Sequence, residues 1–339
     1  VGAPTTLRLN EVIGQERAVG TLTSAMETRR VHHAWVFCGP SGVGKFTTAC
    51  AFAAELLRVA PVRLAAHPDF HVVVKELTPY VADVQARGRK QASIPVQVVR
   101  EFLIEPAALS ATLPAAPGAL ARKVFVLDEA EMLNPNGQNA LLKTLEEPAE
   151  GTVIILITSE ETGLLPTVRS RCQRVGFGPL DEASMERWAR SANLPATGPE
   201  RAWLVRHAAG SPGAMVRAAA AGLFAWHTAL EPLLAPADRD GGQPDLDAAN
   251  AIAAAVEAQA KAQADEGDNV SKDVANRRWA REMLAFLAAR YSRLLRSGPA
   301  PERAAFALEL IDEAERAIDA NVRFPDVAEV FVARLGLGR

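Results

Sequence analysis

With 339 residues, 49% of them hydrophobic and 23% charged, the chain is long enough for more than one core, because single cores rarely grow past about 250 to 300 residues. A formal net charge of -3 excludes a protein that coats nucleic acid through its overall charge, so any DNA or RNA contact must be local. The apolar runs are far shorter than a bilayer span and the first residues form no charged-then-apolar signal, which makes a cytoplasmic protein the expectation.

From His33 to Phe37 an apolar run leads into the glycine loop GPSGVGK at 39–45, and after it Ala49, Phe52, Ala53, Leu56 and Leu57 recur at helical spacing. The order is strand, loop, helix. Further on, His67 and His71 are four apart, but Pro68 breaks the helical geometry that a metal-ligand pair would need. Cys38, Cys50 and Cys172 have no Cys-x-x-Cys spacing, so reduced thiols are expected and no metal. A second strand is predicted over 124–127, ending in Asp128 and Glu129, and a third over 153–157, ending in Thr158 and Ser159. Between them residues 134–147 read as a helix opened by Asn134 and Pro135 and closed by Pro148. RVGF at 174–177 is a candidate fourth strand. Short apolar strands separated by helices predict an α/β fold whose parallel sheet is covered on both faces.

After Gly178-Pro179 no β-rich run follows. Helices are predicted from Asp181 to Ala192 and from Pro199 to Ala209, with Gly210-Ser211-Pro212-Gly213 as a turn or cap before another. Longer helices follow from about Phe224, interrupted by loops at 235–245 and 266–269. The alanine-rich stretch 248–264 carries Ile252 and Val256 on one stripe and reads as a packed helix.

In a phosphate-binding loop, backbone N–H groups and the following helix N-terminus surround the phosphates and a lysine reaches the outer two. Gly39, Gly42, Gly44 and Lys45 can supply that. The hydroxyl after the lysine holds Mg²⁺ in such loops, and here that position is Phe46. Thr47 lies about 100° further around the helix and does not simply replace it. Asp128 and Glu129, at the end of a neighbouring strand, are residue types that orient a metal and activate water, and Thr158 is placed to reach the same crevice. For Arg171, in Ser170-Arg171-Cys172, spacing leaves two readings open: a surface arginine with a local acidic partner, or a finger for a neighbouring subunit's phosphoryl group.

VIGQ at 12–15, GPSGVGK, HPDF at 67–70, VFVLDEAEMLN at 124–134, QNALLKTLEEP at 138–148 and RSRC at 169–172 together resemble the bacterial DNA polymerase III clamp-loader subunits. HPDF, with SIPVQVVRE at 93–101 and LLPTVRSRC, resembles the delta-prime branch more than the gamma/tau branch. The resemblance is strong over roughly 8–215 and weak beyond. It implies an AAA+ P-loop-type domain (1–178), a small helical lid (179–222) and an all-α collar for oligomerisation (223–339). It further implies Arg171 as a trans-acting arginine finger, Val12 and Ile13 (with Gly14) near the base, and Thr158 as a strand-end sensor. Gly213 stands where ATP-hydrolysing relatives carry a second, arginine sensor, and the four clustered cysteines of many relatives are absent, so no zinc is expected. The implied partners are gamma/tau and delta subunits, with the sliding clamp and primed DNA reached through the complex, itself part of a DNA-directed DNA polymerase (nucleotidyltransferase) holoenzyme.

Phe46 and Gly213 each remove a group whose loss costs orders of magnitude in rate, which argues for weak or non-productive ATP/Mg binding without hydrolysis. Asp128 and Glu129 argue the other way, for an active gamma/tau-like motor. A P-loop kinase or small-molecule ATPase is disfavoured because no substrate site accompanies the loop. For DNA contact the candidates are Lys143 and the basic run Arg277, Arg278, Arg281, Arg290, Arg293 and Arg296, weighed against solvated faces and ion pairs.

Overall fold

The computed structural model describes residues 7–83, 93–192, 194, 198–239, 242–245, 247–265 and 272–337. They form two compact units, one of Val1–Pro195 with Ala208–Met215 and the other of Ala196–His207 with Val216–Arg339. The helical segment after residue 178, expected as one lid, is divided between them.

The first unit is built on five parallel strands, β1 (Ala34–Cys38), β2 (Phe70–Val73), β3 (Lys123–Leu127), β4 (Thr152–Thr158) and β5 (Gln173–Gly176), in the order β2-β3-β4-β1-β5. Strands β1, β3 and β4 are buried at every position, as a sheet covered on both faces requires. Alternation sorts their side chains: Trp35, Phe37, Val124, Val126, Ile155 and Ile157 meet helices α1 (Glu16–Glu27) and α2 (Lys45–Leu57). Val36, Phe125, Leu127, Ile154 and Leu156 meet the opposite layer. That layer holds α3, a continuous helical run of Val96–Val99, a π-helical Arg100–Ile104 and Glu105–Ala108, together with α4 (Pro135–Glu146) and α5 (Pro166–Arg169). Asn134 caps α4 by accepting from Gly137 N at 2.8 Å, and Pro135 occupies the first turn where its missing N–H is no loss. This parallel sheet covered on both faces, with the glycine loop leaving the C-terminal end of β1, is the α/β arrangement that was expected.

Strand β2 is the addition to the predicted set. It begins at Phe70 of HPDF, and the motif's Asp69 is fully buried, accepting from Thr112 N at 2.6 Å and Leu113 N at 2.9 Å. His67 Nδ1 accepts from Asp69 N at 3.2 Å and the His71 ring stacks on Phe125 with centroids 4.6 Å apart, so both histidines have structural roles. After β5 comes α6 (Glu182–Ser191), capped by Asp181 through Ser184 N.

The second unit is helical: α7 (Gly198–His207), the end of α8 (Pro212–Ala220), α9 (Leu223–Leu234), α10 (Ala248–Asp265), α11 (Lys272–Ser297), α12 (Pro301–Asp319) and α13 (Phe324–Leu337). The alanine-rich α10 buries Ala248, Ile252, Val256 and Ala260, one residue per turn, as its stripe predicted. The loop expected at 266–269 lies outside the described residues. Of the loop at 235–245, residues 240 and 241 also lie outside them, and the rest is held firmly. Arg303 donates to Ala237 O (2.8 Å) and Gly242 O (2.8 Å).

Three of the six arginines in the basic run on α11 are bonded to partners within the second unit. Arg290 is 5% exposed and grips two carboxylates, Glu231 (Nε to Oε2, 3.0 Å) and Asp238 (Nη2 to Oδ2, 2.6 Å), while stacking on Tyr291. Burial alone would lower its pKa, but the bonds from Asp238 and Glu231 outweigh that and hold it charged. This corrects its candidacy for phosphate contact, since a buried arginine with both forks occupied has nothing to offer. Arg281 is paired with Asp319 at 2.6 Å and Arg277 donates to Asn321 at 2.8 Å. No helix among the described residues is long and apolar enough to cross a membrane.

Two outcomes follow for the second unit. Replacing Arg290 by Ala strands two carboxylates, one of them buried Asp238, and should lower unfolding stability by about 3–5 kcal/mol in urea melts. His207 stacks on Trp203 at 4.5 Å, His227 stacks on the same indole at 5.2 Å, and burial first, then Arg293, push the His207 pKa down to about 4. The neutral ring is the folded form, so its stability contribution is complete above about 6.5 and is lost as pH falls towards about 4. Thermal midpoints should drop by several degrees between pH 7 and 4.5, and His207→Phe, which keeps the stack, should flatten that slope.

Candidate functional site

The glycine loop leaves β1 between β4 and β5. Cys38 is in register with Thr158, and Gly39 has φ 148°, with Phe177 O only 2.2 Å from where a Cβ would stand. Only glycine lets the chain turn that close to its neighbour. Gly44, left-handed at φ 104°, then starts α2 with Lys45 as its first residue.

Lys45 is 6% exposed, and its ammonium donates to Gly39 O at 2.5 Å and Pro40 O at 2.7 Å. Burial lowers its pKa, opposed by the negative charges of Glu131 and Asp128. Phe46 packs its ring on the α1–α2 face of the core, as Val12 does, so the position that would hold a metal-binding hydroxyl serves packing instead. Thr47 is half-buried, and the next hydroxyl, Thr48 Oγ1, is turned back onto Gly44 O at 2.9 Å.

The GSPG turn lies directly on this loop. Gly213 N donates to Gly42 O at 2.9 Å and Ser211 Oγ donates to Ser41 O at 3.0 Å. A Cβ on Gly42, whose φ is +77°, would stand 2.5 Å from Ser211 Oγ. Gly213 therefore contributes a backbone N–H to the loop where a cationic side chain was expected of ATP-hydrolysing relatives.

On the far side of the crevice, Asp128 is pushed above the usual carboxylate range by burial, although its Oδ1 accepts from Glu129 N at 2.9 Å. Glu129 sits in the left-handed region at φ 52° and its carboxylate meets the Lys75 ammonium at 2.9 Å. Thr158 is fully buried and satisfied within its own turn, donating to Glu160 O at 2.8 Å and accepting from Glu160 N at 3.1 Å. The Thr158 hydroxyl is thus not directed at the loop in this structure. Val12 and Ile13 line an open groove of about 470 Å³ beside α1, with Glu16, Thr23 and Arg187, and no glycine-loop residue lines it.

Sequence reasoning missed four participants. Lys75 holds Glu129, Ser211 covers the loop, and Glu131 takes Ser159 through both its backbone N (3.1 Å) and its hydroxyl. Burial raises the Glu131 pKa, yet the Ser159 bonds outweigh it and hold the carboxyl below its usual range. The fourth is Gln138, 2% exposed, which donates to Leu133 O (3.1 Å) and Gly163 O (2.9 Å) and accepts from Leu165 N (2.6 Å). Gln138 thereby fixes the segment that leads from β4 to Arg171. Gln138 heads the QNALLKTLEEP motif, but nothing local to it marks Gly163 and Leu165 as its partners.

Arg171 follows α5 and does have the local acidic partner that spacing left open. Its Nε donates to Glu146 Oε1 at 2.7 Å, Nη2 pairs with the same oxygen, and Nη1 donates to Thr167 O at 2.7 Å. Cys172 beside it is a half-buried thiol whose pKa burial pushes up to about 12, which leaves it protonated.

The closeness of the GSPG turn to the loop is directly testable. Gly42→Ala should cost about 1–3 kcal/mol in denaturant melts, the range for a non-glycine residue in a disfavoured backbone region, and collides with Ser211 as well. Gly44→Ala, with φ +104° but nothing within 4 Å of its Cβ, should cost less. Equal costs would mean the turn yields freely.

Residues 14–181 match the family described as DNA polymerase III, delta subunit. The delta' subunit of DNA polymerase III from Pseudomonas aeruginosa is 35% identical, over 50% of this chain and 51% of that protein. The tau subunit from Bacillus subtilis is 34% identical, over 50% of this chain and 29% of that protein. Among solved structures, a gamma subunit-related protein of DNA polymerase III from Thermotoga maritima is 16% identical with a TM-score of 0.48, covering 94% of this chain and 99% of that one. The chain spans about half the length, or less, of the curated relatives it matches. Over residues 14–181 this chain is a member of the DNA polymerase III clamp-loader family.

Proposed function

We propose that the chain is a delta-prime-type subunit of a DNA polymerase III clamp loader, which donates Arg171 to nucleotide held by a neighbouring gamma/tau-type subunit and does not turn over ATP itself. The observation that carries this reading is the internal occupation of the glycine loop. Lys45 is bonded to Gly39 O and Pro40 O, and Gly213 N takes Gly42 O. A phosphate would have to draw the ammonium away from two carbonyls, and no hydroxyl follows the lysine to hold Mg²⁺. The donors suit a weakly held, non-productive phosphate better than a reacting one. Gamma/tau and delta subunits are the partners this role requires, with the sliding clamp and primed DNA engaged through the assembly. Cytoplasmic residence accords with a replication role.

The second reading, an active gamma/tau-like motor, is favoured by Asp128 and Glu129 at the end of β3 and by the similarity to a tau subunit. Hydrolysis by the isolated chain separates the two. Turnover that Lys45→Ala abolishes would establish the motor reading and sink the proposed one. On the proposed reading the isolated chain is inert, and in a loader reconstituted with gamma/tau- and delta-type subunits Arg171→Ala lowers DNA-stimulated ATPase on the order of ten-fold while Lys45→Ala changes it little.

A further inference from the structure

We propose that Glu146, the last residue of α4, is a positioning residue that presents Arg171 as an outward-facing two-pronged clamp for a phosphate oxygen pair of a second subunit's nucleotide. This rests on the reading above that Arg171 serves a neighbour.

The geometry comes from the guanidinium itself. A guanidinium is planar and carries five N–H donors, one on Nε and two on each terminal nitrogen. Glu146 Oε1 takes the edge shared by Nε and Nη2, and Thr167 O takes one N–H of Nη1. These contacts leave one N–H unused on each terminal nitrogen, which is the number of donors a bidentate grip on an oxyanion takes. The acid therefore occupies one edge of the arginine and leaves the other for use.

Glu146 can do this because α4 is held along its length. Gln138 ties its first turns to Gly163 and Leu165, and His33 Nε2 lies 2.8 Å from Leu145 O beside the last turn. The pair is also accessible, with side chains 33% exposed for Arg171 and 46% for Glu146. An exposed pair contributes little to folding, so the contact is better suited to orienting the arginine than to stabilising the chain.

The test uses the reconstituted loader with Glu146→Ala, Glu146→Gln, Arg171→Ala and the Glu146→Ala/Arg171→Ala double variant, each checked for unchanged thermal midpoint and unchanged assembly by size exclusion. Glu146→Ala should lower kcat for DNA-stimulated ATP hydrolysis on the order of ten-fold, with KM for ATP unchanged, since a misplaced group costs rate rather than binding. Glu146→Gln keeps an oxygen acceptor for Nε and Nη2 and should recover most of the rate. In the Arg171→Ala background, Glu146→Ala should add nothing. A normal kcat for Glu146→Ala beside a lowered one for Arg171→Ala overturns the positioning role and leaves the finger standing. Additive losses in the double variant, or a Gln variant as slow as Ala, overturn it too. No loss in Arg171→Ala removes the finger reading and this proposal with it.

Discussion

The buried ammonium of Lys45 sets the conformation of everything around it. A cation taken out of water must find partners. Burial lowers its pKa, and Glu131 and Asp128, close enough to oppose that lowering, are not its hydrogen-bond partners; the carbonyls of Gly39 and Pro40 are. Taking those carbonyls curls the glycine loop back on itself and turns Gly42 O towards the GSPG turn. Ser211 and Gly213 then close over it. The loop is thus held from its own lysine on one side and by backbone from the first unit's last segment on the other.

The parallel sheet dictates which residues meet there. Because β1, β3 and β4 are buried on both faces, polar residues are tolerated only where the strands end, and all three end on the same edge. Asp128, Thr158 and the glycine loop converge for that reason, whatever their chemistry. What each carboxylate or hydroxyl then does is decided by the next loop along. Lys75 emerges just after β2 and draws Glu129 to itself, while Ser159, just after β4, engages Glu131. Helix α4 links this edge to Arg171, with Gln138 at one end and Glu146 at the other.

Much of this was legible in the residues, and the boundary is physical. Fully buried strands announce themselves as unbroken apolar runs, and α4 as a helix between an Asn-Pro cap and a closing proline. Strand β2 did not, because it is an edge strand with only its end residues buried and a histidine at its second position, whose ring lies flat on Phe125. The site's residue types were visible, but not their partners. Lys75 and Glu129 come from different strand ends, Ser211 reaches the loop from far along the chain, and nothing local marks any of those pairings. Arg290 was misplaced for the same reason: on paper it belongs to a basic run, and only the fold brings Asp238 from a polar, glycine-bearing loop to meet it.

Arg171 and Arg290 show that burial, more than pairing, decides how readily an arginine's contacts can be exchanged. Both are bonded to glutamate, and both would score alike as ion pairs. Arg290 and its partner Asp238 have side chains 6% and 12% exposed, so separating them would leave uncompensated charge in the interior, at a cost of about 3–5 kcal/mol. The Arg171–Glu146 pair has side chains 33% and 46% exposed, where such contacts are worth about 0–1 kcal/mol. That contact can therefore be exchanged without first disrupting the fold.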